Sequence, residues 1–291
     1  MTVLPLLAVL LGVLLGAALA GRRPQLQALG RRPLQVAIAL LGLQLSFTDL
    51  AQVGGRHLVV VVVTVAVTYV GTQALARRLG FSRAQGLLVA SGFSVCGASA
   101  VAAMEPLTDA DEGDSGLAVA LVTLCGSLAI LLLPAVRGPL GLDQAAFGAW
   151  VGASVHDVGQ VAATAGRVGT VALTTALVVK LSRVALIVPL VLLESRRCAS
   201  AGTLGTTARL PWFVPGFVGA AGIHSLDVLP EPALSALATG QHGLLLLGLV
   251  GLGAGVRPER LRRLGGRATV LGLASWLLVA GTSYLLLQLV A

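Results

Sequence analysis

The chain has 291 residues, of which 56% are hydrophobic and 11% charged, and its mean hydropathy is +0.92. A soluble domain carries about 25% charged residues, so this composition excludes an ordinary soluble protein and predicts several membrane helices. The net charge of +8 lies in short arginine runs between apolar segments, a pattern typical of membrane topology rather than of nucleic-acid binding.

The apolar runs predict an all-α membrane protein with a single transmembrane domain over residues 1–291. A helix rises about 1.5 Å per residue, so the second and eighth spans are short for a hydrocarbon core of about 30 Å. Tilt, breakage or partial re-entry would accommodate them. A retained first helix is favoured over a cleaved signal peptide, since two arginines follow it and no base precedes it. The ten predicted spans are 3–20, 33–47, 58–76, 84–104, 116–134, 145–165, 169–193, 211–226, 233–255 and 268–290.

The distribution of arginine predicts the orientation of these spans. Sixteen arginines lie in the loops that follow the odd-numbered spans, whereas the other loops hold only Arg56 and Arg167. Loop 105–114 has five acids and no base. The positive-inside rule therefore predicts that the odd loops are cytoplasmic and that both termini lie outside a bacterial inner membrane.

Small and polar residues interrupt span four in "ASGFSVCGASAVAAMEP", residues 90–106. Glycine weakens a helix and frees backbone groups, so a broken helix whose second half directs its N-terminus at an anion is one interpretation. Close packing of helices through small residues is the alternative. The candidate ligands of an anion are Cys96, Gly97, Ala98 and Ser99.

Three polar residues lie in the middle of span six, within "GASVHDVGQVAATAG". His156 and Asp157 are candidates for a proton or cation site, because burial tunes the charge of such groups. Gln160 is close enough along the helix to neighbour either of them. A structural salt bridge from Asp157 to Lys180 or Arg183 is the alternative.

Span seven carries the only lysine of the chain, Lys180, with Arg183 three residues further on. The i, i+3 spacing places both on one helix face, and a charged base at the centre of a bilayer costs about 2.5–3.5 kcal/mol. Pairing with Asp157 would satisfy one of the two positive charges. An anionic substrate for the other is the preferred interpretation.

Span nine contains the glycine-rich segment "LGLVGLGAGV", residues 247–256, which is either a second interrupted helix or a packing surface. Its region, 245–267, also resembles 39–56 in an LLGL start and a GGR end. The two copies lie in oppositely directed spans, which suggests inverted repeats over about 1–140 and 141–291. His57, His224 and His242 are interpreted as interfacial or packing residues rather than metal ligands.

The motifs "SGFSVCGASAVAAMEP", "VGASVHDVGQVAATAG" and "KLSRVALIVP" resemble the YeiH-like sulfate exporter family, in order along nearly the whole chain. The CGASA-type motif of that family falls on residues 96–100 and its K-x-x-R segment on Lys180 and Arg183. Its H-[ED]-x-x-Q motif falls on His156, Asp157 and Gln160, with Asp where Glu is more usual. Its EP pair falls on Glu105 and Pro106.

The resemblance implies a multi-pass carrier related to the cation–proton antiporter and bile-acid transporter folds. Those folds have two inverted five-helix repeats and a pair of interrupted helices that cross near the midplane, here expected in spans four and nine. Family members often carry an additional N-terminal helix, which this sequence lacks. Glu105 and Ser154 are predicted to gate or support the site.

The sequence thus predicts a secondary transporter of a small anion such as sulfate or an organosulfonate, an exporter coupled to protons or another cation. A passive anion channel and an intramembrane enzyme that uses Cys96 with His156 are the alternatives. No catalytic role, cofactor, metal or nucleic-acid partner is expected, and no nucleotide-binding loop is found. The expected partners are the anion, the coupling ion and the lipid bilayer, and a homodimer is left open.

Overall fold

The computed structural model describes residues 4–44, 55–110, 113–200, 212–254 and 258–290, and these residues form helices without any strand. The all-α class is therefore confirmed for the described part of the chain. The helices are α1 Leu4–Ala18, α2 Arg23–Leu41, α3 Gly55–Arg78, α4 Arg83–Ser94, α5 Ala98–Met104, α6 Asp114–Val136, α7 Gln144–Ser154, α8 Val158–Ala165, α9 Thr170–Ala185, α10 Ile187–Ser200, α11 Phe213–Ser225, α12 Glu231–Ala254 and α13 Pro258–Val290. Short 3₁₀ turns occupy Ala20–Arg22, Gly42–Gln44 and Glu105–Leu107.

Five helical segments within the described residues are long and apolar enough to cross a membrane. One of them joins α9 to α10, because the chain bends only at Leu186 between these two helices. The five segments are Leu58–Arg78, Asp114–Val136, Thr170–Arg197, Glu231–Gly251 and Gly265–Val290.

The helices pack as two groups. The first group consists of α1, α2, α11 and α12, in which α12 packs against both α1 and α2. Glycines allow their backbones to meet: a Cβ atom on Gly30 would lie 2.7 Å from the α-carbon of Gly251, closer than real side chains approach. The second group consists of α3 to α10 and α13, and it contains all the residues predicted to bind substrate or ions.

The helices α4 and α5 form a hairpin rather than a membrane-crossing segment. The first hairpin turns at residues 95–97, and Val101 on the returning limb packs beside Gly92 on the entering limb. Its entrance lies beside the start of α6, where Gln85 donates a hydrogen bond to Asp114 at 2.9 Å. The chain therefore enters and leaves this hairpin at one end of the helix bundle.

The helices α7 and α8 form a second hairpin, which enters from the opposite end of the bundle. Gly148 and Gly152 on α7 contact Ala172 and Ala176 on α9, so α7 and α9 run parallel from a common level. At the exit from α8, Arg167 donates to the carbonyl of Ile130 near the far end of α6. The second hairpin turns at residues 155–157 and returns to the end at which it began.

These two hairpins correct the predicted topology. Spans four and six do not cross the bundle, because a break of three residues reverses the chain instead of prolonging the helix. The acidic segment that ends at Asp114 consequently lies at the same end of the bundle as Arg83, and Arg137 lies at the opposite end. Both positions are the reverse of the predicted ones. The contact between Gly80 and the Arg267 guanidinium places the starts of α4 and α13 at that first end, which we call the arginine-rich end.

Two further predictions about individual spans need correction. Span nine is not interrupted, since α12 continues without a break to Ala254, while residues 255 and 256 lie outside the described part. Helix α2 begins at Arg23, ten residues before the predicted start of span two, and it accommodates Pro33 in its interior. The two similar segments 39–56 and 245–267 lie partly outside the described residues, so the inverted repeat stays a prediction.

Candidate functional site

The tips of the two hairpins meet near the middle of the second helix group. A Cβ atom on Gly97 of the first tip would lie 3.7 Å from the Cβ of His156 in the second. The rings of Phe93 and His156 stack edge to face across the same junction, with centroids 4.6 Å apart. Helix α9 passes the junction and contributes Lys180 and Arg183, both fully buried.

Arg183 ties the two tips together through backbone carbonyls. Its Nε and Nη2 atoms donate to the first tip, at the carbonyls of Phe93 and Ser94, over 2.8–3.2 Å. Its Nη1 atom donates to the second, at Gly152 and Val155, over 3.1–3.4 Å. A guanidinium has five N–H donors, and five hydrogen bonds are made here. Arg183 therefore fills its whole donor capacity with carbonyls that the helix breaks leave without intrahelical partners.

Lys180 makes the same kind of contact with two donors. Its Nζ donates to the carbonyl of Val95 at 2.7 Å and to that of Val155 at 3.1 Å. The ammonium has three donors, so one N–H is left without an acceptor among the described residues. Neither Lys180 nor Arg183 forms an ion pair with Asp157, all three being described, and the predicted alternative of a salt bridge is therefore wrong.

The first tip requires glycine at its centre. Gly97 has a φ of +72° and precedes the first residue of α5, and Val122 on α6 would lie 3.2 Å from any Cβ atom there. Ala98 and Ser99 begin α5, and the first N–H groups of a helix have no intrahelical acceptor. Cys96 is a free, buried thiol next to this helix start.

The second tip is organised by a capping box. Asp157 precedes α8, where its carboxylate accepts from the backbone N–H of Gly159 at 2.8 Å and from that of Gln160. The Gln160 side chain accepts in return from the Asp157 N–H at 3.3 Å and donates to the carbonyl of Thr123 on α6. This reciprocal arrangement stabilises the start of a helix, which explains the break before α8.

His156 is fully buried at the second tip, and both of its ring nitrogens are without a hydrogen-bond partner in the described part of the chain. Leaving a buried polar atom unpaired is costly, so this imidazole is a candidate for binding water. It makes no hydrogen bond to the Cys96 thiol. The two residues therefore lack the nucleophile–base contact that a cysteine enzyme uses.

Of the two residues predicted to gate or support the site, Ser154 directly precedes the second tip and Glu105 lies at the base of the first hairpin. Ser154 is buried in the last turn of α7 and donates to the carbonyl of Trp150 at 2.6 Å within its own helix. Glu105 begins the 3₁₀ turn that follows α5, at the base of the first hairpin. These positions suit a supporting role in the hairpin limbs rather than contact with a ligand at the tips.

A cavity of about 480 Å³, here called the central cavity, separates the hairpin tips from the first helix group. The tips contribute Cys96, Ser99 and Asp157, and Asp157 is the only carboxylate in its lining among the described residues. Opposite them are three polar residues of the first group, Gln44, Gln241 and His242. The site thus lies between the two helix groups, with backbone N–H groups on one wall and polar side chains on the other.

The polar residues of that opposite wall are absent from the site predicted from sequence. Gln44 donates to Gln241 at 3.1 Å, and the Nε2 atom of His242 is buried without a hydrogen-bond partner within the described residues. Two adjacent polar residues inside the apolar span nine were a usable signal, because such groups at membrane depth usually face a cavity. His242 is a cavity-lining residue rather than an interfacial one. The side chain of His57 lies outside the described residues.

Comparison with known proteins identifies the family. A family model described as "Conserved hypothetical protein 698" matches residues 3–272. A UPF0324 membrane protein of Corynebacterium glutamicum is 36% identical over 94% of this chain and 81% of its own length. Another from Bordetella bronchiseptica is 37% identical over 93% and 89%, and one from Pseudomonas aeruginosa is 35% identical over 94% and 83%. No solved structure matches the chain. The resemblance to the YeiH-like family is thereby confirmed at the level of the family, and the chain belongs to the UPF0324 family of membrane proteins.

Proposed function

We propose that the protein is a secondary transporter that moves a small anion through the central cavity. The observation that carries this proposal is the balance of charge at the tip junction. Lys180 and Arg183 bring two formal positive charges, and Asp157 brings the only negative one among the described residues of the junction and cavity. Net positive charge buried at membrane depth is costly, and an anionic ligand offsets that cost.

The helix dipoles add to this preference for an anion. The C-terminal ends of α4 and α7 carry partial negative charge, which Lys180 and Arg183 neutralise through the carbonyl hydrogen bonds. The N-terminal ends of α5 and α8 carry partial positive charge, and Asp157 already covers that of α8. The start of α5 has no side-chain cap among the described residues, so its first N–H groups remain for a ligand close to Ser99, which lines the cavity.

We therefore assign anion binding to the start of α5. The backbone N–H groups of Ala98 and Ser99 and the Ser99 hydroxyl would bind the anion's oxygens beside Cys96 and Gly97. Lys180 would supply its remaining N–H and its charge. Arg183 would act through the backbone by holding both tips in position, since its donors are fully used. Sulfate and organosulfonates each carry several oxygens that could accept hydrogen bonds from these donors.

Asp157 is the coupling residue in this proposal. Its carboxylate lines the same cavity as the anion site, so proton or cation binding there would relieve repulsion between the anion and the carboxylate. Gln160 would hold Asp157 in place, and His156 would receive or pass on the proton from behind the tip. Coupling through a fixed central site is how two helix groups that move against each other transport a substrate.

The orientation in the membrane follows from the arginines. Arg77, Arg83, Arg197 and Arg267 lie at the arginine-rich end, whereas Arg137 and Arg167 lie at the other. We infer that the arginine-rich end is cytoplasmic and that both termini are outside the inner membrane. A passive channel is the second candidate, and it differs from a coupled carrier in its response to a proton gradient.

The test is efflux from proteoliposomes loaded with sulfate, sulfite or an organosulfonate, with and without a pH gradient. The wild type should export at least one of them faster when the gradient is imposed. Asp157→Asn keeps the oxygen that caps α8 but cannot titrate, so the folded variant should lose the response to the gradient. Asp143→Asn removes a comparable capping carboxylate at the exposed start of α7 and should behave like the wild type.

Two outcomes would contradict the proposal. Efflux that ignores the gradient in the wild type would favour the channel. A gradient response that persists in Asp157→Asn would remove Asp157 from the coupling mechanism.

A further inference from the structure

A second cavity, of about 440 Å³, lies on the side of the bundle between α3 and α10. It is here called the lateral groove. Exposed apolar side chains border it, since Val62, Val70 and Leu193 each leave at least 42% of their surface uncovered. The rest of its apolar lining is formed by Val65, Ala66, Leu186, Pro189 and Leu190. The groove is separate from the central cavity and shares no lining residue with it.

The polar residues of the lateral groove are confined to one end. Tyr69, Gln73, Arg77 and Arg197 all lie toward the arginine-rich end, because α3 and α10 run parallel toward it. Val62 and Gln73 are separated by eleven residues of helix, which corresponds to about 16 Å. One leaflet of a hydrocarbon core is about 15 Å thick. The apolar part of the groove therefore matches the depth of a single leaflet.

The polar end carries more positive than negative charge. Arg197 donates through Nη1 to the buried Glu194 at 2.7 Å, and its Nε and Nη2 donors have no acceptor among the described residues. Arg77 is exposed and has no acceptor within the described residues. The Tyr69 hydroxyl is buried in the same wall without a hydrogen-bond partner there. These groups together would receive a phosphate and a neighbouring oxygen.

We propose that the lateral groove binds one anionic phospholipid from the leaflet at the arginine-rich end. An acyl chain would lie along the apolar wall, and Arg77 and Arg197 would bind the phosphodiester. A second copy of the chain would bring further arginines to the same level, which disfavours it as the occupant. Basic pockets between helices at the headgroup level are suited to anionic lipids.

The protein is reconstituted in phosphatidylcholine nanodiscs that contain an increasing fraction of phosphatidylglycerol. Native mass spectrometry then counts the phosphatidylglycerol molecules that the released protein retains. The wild type should retain one phosphatidylglycerol per chain. Arg77→Gln should weaken retention about tenfold, as expected for one charge-assisted contact. Arg78→Gln is the matched control, because Arg78 has the same depth and charge but does not line the groove.

A second pair of variants tests the apolar wall. Ala66→Phe should fill the groove and abolish retention, whereas Val67→Phe, on the neighbouring exposed face, should leave retention unchanged. Equal weakening by Arg77→Gln and Arg78→Gln would overturn the proposal in favour of general attraction to anionic lipid. Full retention in Ala66→Phe would also overturn it. The proposal would also be overturned if these variants changed the number of associated chains without changing the retained lipid, since a second copy of the chain would then occupy the groove.

Discussion

At the residue scale, Arg183 makes more hydrogen bonds to the hairpin tips than Lys180 does. Turning two helices back in mid-membrane leaves carbonyls at both tips with no intrahelical partner, and an unpaired carbonyl in such a place is expensive. One guanidinium supplies five donors in a rigid plane, which is what two adjacent helix ends require. Arg183 thus stabilises a pair of breaks that the bilayer would otherwise not tolerate.

We expect Arg183→Gln to destabilise the fold by more than about 3 kcal/mol, because it leaves several buried carbonyls unpaired. Arg183→Lys keeps the charge but offers three donors, so its loss should be intermediate. The measurement is the midpoint of thermal unfolding in detergent. Arg197→Lys is the control, since the Arg197 side chain is 53% exposed and should shift the midpoint little. A wild-type midpoint for Arg183→Gln would contradict this role.

The predicted anion site is only partly recoverable from residue patterns. The sequence correctly singles out Lys180 and Arg183 as charges that need partners at membrane depth. It does not reveal that the partners are carbonyls from two separate breaks, since those residues are 25 to 90 positions away along the chain. Every residue has a backbone carbonyl, so no sequence motif indicates which carbonyls accept these hydrogen bonds.

At the scale of elements, the two hairpins decide the topology. A helix break looks the same in sequence whether the chain continues or reverses. The start of one limb in each hairpin was readable from the sequence: Ser82 with Gln85 and Asp157 with Gln160 both form capping boxes, and such spacing predicts a new helix. The second signal, inside span six, was sufficient to predict the break before α8. Reversal required the contacts with α6 and α9.

Single cysteines labelled with a membrane-impermeant maleimide distinguish the hairpins from crossing spans. We expect Arg83→Cys and Asp109→Cys to label from one side, and Gly138→Cys and Arg167→Cys to label from the other. Each hairpin begins and ends at the same end of the bundle, which fixes this pairing. The background is a variant in which all three cysteines, Cys96, Cys125 and Cys198, are replaced by alanine, because Cys96 lines the central cavity. Labelling of Arg83→Cys together with Gly138→Cys would indicate crossing spans instead.

At the scale of the whole molecule, the central cavity brings polar residues of both helix groups together within the described part of the chain. The hairpin tips supply backbone donors and Asp157, and the first group supplies a hydrogen-bonded pair of glutamines with His242. Polar groups facing each other across a cavity between two packed bodies form a site that changes when those bodies move. In the proposed mechanism, transport would therefore depend on this interface more than on any one residue.

Filling the central cavity should stop transport without unfolding the protein. Ala163→Trp places a large ring in the cavity from α8, and we expect anion efflux to fall more than tenfold while the unfolding midpoint stays near that of the wild type. Ala238→Trp makes the same change on the exposed surface of α12 and serves as the control. Wild-type efflux through folded Ala163→Trp would place the substrate path elsewhere.

The sequence by itself determined the membrane class, the family and the positions at which charge and polarity interrupt apolar helices. These properties follow from composition and local spacing, which each segment carries alone. The tertiary structure decided that spans four and six turn back and that their tips share Lys180 and Arg183. Because the two hairpins enter from opposite ends, the segments between them lie on the sides opposite to those that ten crossings would give. Both termini nevertheless lie on the side that ten crossings would give. The bias of arginine toward one side is almost unchanged by this exchange, so only contacts between distant helices could reveal it.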